Sequence, residues 1–326
     1  MNHARSRTPN ASAKALLVCS RPWGRRAVRQ ALAAWSTCGA LGVAGAAAAA
    51  SPDATESDFS WNGKAEVSSD SRERGISNSA NRPSVRLVAE MLHASGLFAE
   101  LELTRVSKLQ YPGGSGLRVQ SAIGYRFGDP VGWQFELGLF DSRFPGSSQS
   151  AASGYALEID PSIGEVVGAT LVPKSVSLST SEIFASVRYG AWSARYFHTV
   201  SRDFFAISGH TVCPGIADLV ESFACFERGA AHSRGSGYLE VDFTQRLSKS
   251  ASVVVRLGQQ RVRNWRSFDT RSYAVEFRQA WRSLELSVAV TGASARQRGV
   301  YDLALSNGSL RDPTKATAVL ALAYVF

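Results

Sequence analysis

The sequence predicts an all-β fold, a transmembrane antiparallel β-barrel of about 12 strands with short turns at one end and long loops at the other. Three observations predict it. Apolar and polar residues alternate with period two through segment after segment, as in a strand with one apolar and one polar face. Short and long links alternate along the chain, as turns and loops do in a barrel that crosses a membrane. After residue 51 no apolar run approaches the roughly 18 residues that a membrane-spanning helix needs.

Each strand has its own pattern. Strand one is expected over 59–74, where Lys64, Glu66 and Ser68 share one face with Asp70, Arg72 and Arg74. Strands follow near 84–93, 97–106, 117–127, 133–143 and 180–190. In the fifth, Phe135, Leu137 and Leu139 alternate with Gln134, Glu136 and Gly138. The remainder lie near 191–203, 237–248, 250–263, 271–280, 282–294 and 315–326. Among them, Leu239, Val241 and Phe243 alternate with Glu240, Asp242 and Thr244. Most match the 9–11 residues that a tilted strand needs to cross hydrocarbon, and closing the sheet satisfies every backbone group that lipid cannot solvate. A soluble sandwich with its apolar faces inward is the rival, although its strands usually run to five or six residues. The stretches 147–179 and 206–236 are long enough for an extra hairpin, so the count is open by two.

Length and composition bound the function. The 326 residues are 44% hydrophobic and 19% charged, which excludes disorder. Of the 36 Lys and Arg, seven fall in residues 1–50 beside no Asp or Glu, leaving 29 basic against 27 acidic residues in 51–326. The overall charge of +9 is therefore an N-terminal feature, and no nucleic-acid partner is expected. Arg21, Arg25, Arg26 and Arg29 precede an uncharged Ala/Gly-rich stretch to Ala50, the pattern of an export signal cut near Ala50 or Ser51. Two units result, a signal peptide over 1–50 and a barrel over 51–326.

Two features carry a resemblance to known families. Residues 316–326 alternate to a terminal aromatic, with Leu320, Leu322, Tyr324 and Phe326 on one face. This resembles the C-terminal signal by which barrel-assembly machinery recognises bacterial outer-membrane proteins, and it makes Tyr324 and Phe326 the assembly signal. The segment Arg72-Glu73-Arg74-Gly75-Ile76-Ser77 resembles the opening of the TorF family of porins. Pro83, Ser95-Gly96-Leu97-Phe98, Phe144-Pro145-Gly146 and Ser181-Glu182-Ile183-Phe184 also match that family in order and spacing. Ser71 and Glu73 depart from it, standing where the family has aromatics. The resemblance implies an exported outer-membrane channel that passes small hydrophilic solutes or ions, in contact with outer-membrane lipid and lipopolysaccharide.

The candidate pore-lining residues are the charges at the polar phase: Asp70, Arg72, Arg74, Glu90, Glu100, Glu102, Arg118, Arg126, Glu136, Arg188, Glu240 and Arg256. If strand one keeps its phase, Asp70, Arg72 and Arg74 form a column near the outer mouth, and the two arginines confer a modest anion preference. The same charges could instead pair across the lumen and fill it. Cys213 and Cys225, 12 positions apart in a loop expected outside, are the candidate disulfide; the rival is a metal site with His210 and His232. No metal or cofactor is expected. No nucleophile-elbow pattern or metal-binding His pair points to an enzyme. The alternatives to a channel are a non-conducting barrel displaying its surface loops and a lipid-modifying outer-membrane enzyme built around His198.

Overall fold

The alternating segments do form strands that close into a ring. A computed structural model describes residues 58–228 and 231–326. The expected export segment and its cleavage point lie outside the described residues. The barrel strands are β1 (Phe59–Ser68), β2 (Ser84–His93), β3 (Leu97–Arg105), β4 (Leu117–Gly128), β5 (Trp133–Arg143) and β6 (Thr180–Tyr189). They continue as β7 (Trp192–Thr199), β8 (Gly237–Arg246), β9 (Ala251–Arg261), β10 (Thr270–Trp281), β11 (Leu284–Ala295) and β12 (Thr317–Val325). Each pairs antiparallel with the next, and β12 closes on β1 to give a closed ring of 12. At the seam Lys64 pairs with Val325 and Ser68 with Ala321. Gly63 and Phe326 extend the seam by exchanging backbone hydrogen bonds of 2.8 and 3.0 Å.

The two faces sort as the period-two pattern requires. Ile123, Leu137 and Leu139 point outward, each more than half exposed, and similar apolar residues on every barrel strand make a continuous exterior band. Soluble monomers rarely expose more than a few hundred Å² of contiguous apolar surface, so this band marks a barrel whose solvent is lipid. The polar phase faces the lumen.

β1 departs from expectation, ending at Ser68 rather than running to residue 74. At Ser69 the ladder changes partner type: the backbone N–H donates to Leu320 O at 2.8 Å, while the side-chain Oγ accepts from Leu320 N at 3.0 Å. Beyond this hydroxyl the chain leaves the wall and folds into the lumen, where Arg72–Glu73 and Ile76–Ser77 form a small hairpin. Its two-residue turn, Arg74-Gly75, has φ of 51° and 77°. Such a turn favours glycine, and a Cβ at residue 75 would stand 2.3 Å from Gly292 O on β11. The expected column on the strand-one wall therefore does not form.

The long loops carry further structure at the outer end. Residues 144–179 hold a hairpin, Ser148–Ile159 with Val166–Ser177, that lies outside the ring and leaves the barrel at 12 strands. Residues 206–236 hold two helices, α1 (Gly209–Val212) and α2 (Leu219–Glu227), in place of a hairpin. Asp218 caps α2 by accepting from Glu221 N at 2.9 Å. Cys213 and Cys225 are joined, their Cα atoms 5.7 Å apart. Tyr155 of the hairpin stacks on Phe223 at 4.1 Å and bonds Ser222 Oγ at 2.8 Å, fastening helix to hairpin. Beneath them Val106, Tyr111, Phe144, Leu178 and Ala206 form a buried apolar cluster across the loop bases.

Candidate pore and its constriction

The inward hairpin is held to the lumen wall on several sides by charge. The Asp70 carboxylate accepts from Arg72 Nε at 2.6 Å, Ser77 Oγ at 2.6 Å and Ser79 Oγ at 2.7 Å, which folds the hairpin on itself. Arg72 reaches the wall at Thr317 Oγ1, 3.0 Å away on β12, and bonds Asn81 Oδ1 at 2.9 Å. Glu73 crosses to β4, where it accepts from Arg118 and Gln120. Arg118 also pairs with Glu102 at 2.8 Å, and Glu102 in turn takes Arg86 at 2.6 Å. Arg74 crosses to another part of the wall, 2.5 Å from Glu182 on β6 and 2.7 Å from Gln260 on β9. Its guanidinium carbon lies 4.5, 5.1 and 5.5 Å from the ring centres of Tyr238, Phe197 and Phe204. Three rings and one carboxylate thus cage a single cation, a desolvated arrangement in which each contact is strengthened.

Beneath this constriction lies a belt of rings on the inner wall. Phe98, Phe140, Phe184, Phe197 and Tyr238 come from β3, β5, β6, β7 and β8. Neighbouring centroids are 5.6 Å apart for Phe140–Phe197, 5.7 Å for Phe184–Phe197 and 6.3 Å for Phe197–Tyr238. Glycines on adjacent strands make room for these rings to lie against the wall. A Cβ at Gly124 or Gly138 would come within 2.8 Å of the Phe98 or Phe184 ring, and one at Gly258 within 2.2 Å of the Tyr238 hydroxyl oxygen. The charge pattern of the sequence does not reveal this belt. Its available signal was glycine at the inward phase beside an inward aromatic.

Toward the short-turn end the wall is charged. Arg126 pairs with Glu136 at 2.7 Å and Glu90 at 3.2 Å, Arg256 with Asp242 at 2.9 Å and Glu240 at 3.5 Å, and Arg278 with Glu276 at 2.7 Å. Lys64 sits between Glu285 and Glu66. Two contiguous cavities, about 170 and 140 Å³, share Glu136, Arg188 and Arg195 in their walls. Arg188 and Glu100, both lining the smaller one, make no hydrogen bond or ion pair among the described residues.

The structure thus brings the sequence-selected residues into one lumen in two groups. Asp70, Arg72 and Arg74 lie on the inward hairpin. Glu90, Glu100, Glu102, Arg118, Arg126, Glu136, Arg188, Glu240 and Arg256 lie at the inward phase of β2 to β9. Tyr324 and Phe326 lie at the seam on the outer surface, ring centres 6.1 Å apart. His198 is at the outward phase of β7, beside Tyr196. His210 is buried under the outer loops, with Nδ1 3.0 Å from Ala152 O and Nε2 3.1 Å from Lys174 Nζ.

No family model matches the chain, so the resemblance to the TorF family rests on the residues that carry it. No curated protein matches it. Among solved structures the chain is similar to a KdgM porin in complex with disordered oligogalacturonate, at 10% identity and a TM-score of 0.42 over 82% of this chain and 98% of that one. It is similar to the NanC porin at 10% identity and a TM-score of 0.45, with the same coverage. It is also similar to the outer membrane phospholipase A from Escherichia coli, at 11% identity and a TM-score of 0.36 over 81% of this chain and 91% of that one. Likeness at this level assigns no function.

Proposed function

We propose that the chain is a bacterial outer-membrane channel, of the TorF porin type, that passes small hydrophilic solutes or ions passively and whose bore is set by the inward hairpin. One observation carries the reading: charged, contiguous cavities lie inside a lipid-facing barrel, on the far side of the aromatic belt from a hairpin tethered by ion pairs to more than one part of the wall. A wall built only to be filled would have no reason to leave Arg188 exposed toward that space. Arg72 and Arg74 are each held by a carboxylate, so they do not act as free cations at the mouth. Ion preference falls instead to unpaired wall charges such as Arg188 and Glu100.

Conductance of the refolded protein in a planar bilayer tests this. Discrete steps in salt solution are expected, and a folded, heat-modifiable protein with no conductance would overturn it. A second reading has its own observation. The hairpin over 148–177 and α2, braced by Cys213–Cys225, form an ordered outer layer with Ile159, Ile163, Val166 and Val167 exposed. This suits a barrel that displays its loops, and such a protein binds surfaces without conducting.

A further inference from the structure

We propose that the cavity below the aromatic belt is a binding site for a zwitterionic amino acid with an aromatic or bulky apolar side chain. The proposal deepens the channel reading and rests on it for access, because a ligand reaches this cavity only through the lumen. Its volume is about 140 Å³, close to that of a cavity known to accommodate a benzene ring. Phe140, Phe184 and Phe197 supply an apolar wall. Around that wall Glu90, Arg126, Glu136 and Arg195 pair in a chain, which leaves one carboxylate at its acidic corner, Glu100, and one guanidinium at its basic corner, Arg188, without a partner among the described residues.

The acidic corner follows from register. Glu90 and Glu100 stand directly opposite each other on β2 and β3, which sets two carboxylates side by side. Glu90 has Arg126 at 3.2 Å, whereas Glu100 has no cation in contact among the described residues. The basic corner is built in the same way. On β6 and β7, Arg188 pairs with Ser193 and Arg195 with Ser186, making the two arginines diagonal neighbours. Arg195 has Glu136 at 3.7 Å and rests over the Phe184 ring at 5.9 Å, while Arg188 is exposed and has no ion pair among the described residues. Glu100 and Arg188 thus each stand beside a like charge and lack a counter-ion of their own among the described residues.

An α-amino acid carries both counter-ions one carbon apart from an apolar group. Its carboxylate meets the guanidinium of Arg188, a planar fork suited to bidentate contact, and its ammonium meets Glu100. The side chain lies on the rings, where apolar burial and ring-to-ring contact stabilise it. A plain anion leaves the acidic corner unrelieved, and a plain cation leaves the basic one so.

Calorimetric titration of the refolded protein in detergent tests the proposal with four probes. L-phenylalanine carries all three groups, phenylpropionate lacks the ammonium, phenethylamine lacks the carboxylate and L-alanine lacks the ring. Phenylalanine is expected to bind at least about tenfold more tightly than each of the others. In Glu100→Gln its advantage over phenylpropionate disappears, and in Arg188→Gln its advantage over phenethylamine disappears. Neither position has a hydrogen bond or ion pair among the described residues, and gel mobility of unboiled samples checks that each variant is folded. Phenylalanine binding no tighter than alanine, or a preference that survives both substitutions, overturns the site. Bilayer conductance in the same preparations separates the two proposals: a conducting barrel that ignores phenylalanine rejects the site, and one that binds phenylalanine without conducting keeps the site and rejects the channel.

Discussion

Replacing Arg74 by alanine is the sharpest perturbation of the constriction. The Glu182 side chain is fully buried and that of Arg74 is 9% exposed, so the substitution leaves a carboxylate uncompensated in a low-dielectric site. Breaking such a pair by removing one partner costs about 3–5 kcal/mol, and losing the ring contacts adds about 0.5–2 kcal/mol. The hairpin can relieve this cost by leaving the lumen and letting water reach Glu182. Twelve strands about 4.8 Å apart and tilted about 40° make a ring roughly 24 Å across between backbones. With side chains about 6 Å deep on each wall, roughly 12 Å remains, which a two-stranded hairpin about 10 Å wide nearly fills. Arg74→Ala should therefore lower thermal stability, raise single-channel conductance several-fold and move the reversal potential in a salt gradient toward cation selectivity. Adding Glu182→Gln should restore much of the stability and abolish the shift in selectivity while the larger conductance persists. Parental stability and conductance in Arg74→Ala would refute the assignment of the hairpin as the tethered constriction.

Other outcomes follow from the same contacts. Gly63→Val drives a side chain into the Phe326 ring, which a Cβ would already approach to 2.1 Å, so the heat-modifiable fraction on a detergent gel should fall, and deletion of Phe326 should lower it as well. Gly138→Val displaces Phe184 and should cost about 1–3 kcal/mol by overpacking, read from the thermal midpoint. Mass spectrometry of the exported protein without reductant should find Cys213 and Cys225 joined; replacing both with serine should speed proteolysis of 206–236, by loss of about 3 kcal/mol of loop restraint, while barrel gel mobility stays unchanged. Burial pushes the Tyr111 phenol up from its ordinary value, and it donates to Asn78 Oδ1 at 2.6 Å. Its contribution is complete below the unfolded tyrosine value of about 10 and declines as pH rises beyond it, so the outer loop cluster should loosen in alkali together with the appearance of phenolate absorbance.

The barrel was legible because its solvent imposes a strict rule. Lipid outside and a polar lumen inside force period two on every crossing, so patterns such as Phe135–Gln134 and Leu239–Glu240 located strands within a few residues of their ends. The inward hairpin was not legible in this way. Ser68 to Arg74 continues the alternation unbroken, and only three-dimensional partners decide that Ser69 ends the ladder: Asp70 finds Arg72 and Ser77, and Arg74 finds Glu182, 108 residues away. The Arg-Gly-Ile-Ser segment did mark the place, and the structure supplies the reason in the left-handed turn at Arg74-Gly75 pressed against Gly292. Pairing among the charges was likewise invisible, since sequence gives phase but not the neighbour across the lumen. The Phe98–Tyr238 belt was hidden because inward rings in a polar lumen break the rule that located the strands.

The seam between β1 and β12 has a consequence for biogenesis. Its ladder matches only five residue pairs, against 12 between β10 and β11, and it joins segments more than 250 positions apart. Closing a loop of that size costs on the order of 5 kcal/mol in chain entropy, which a short ladder recovers slowly. Every other neighbouring pair in the ring can zip as a local hairpin or along an adjacent strand, whereas the seam must wait until the whole chain has been made. Until then two raw edges stand open to pairing with other chains, the condition under which β-proteins aggregate. The period of greatest hazard therefore runs from the first synthesis of β1 to the moment Phe326 docks on Gly63, and a chaperone that shields these two edges would protect the protein more than one that shields its loops.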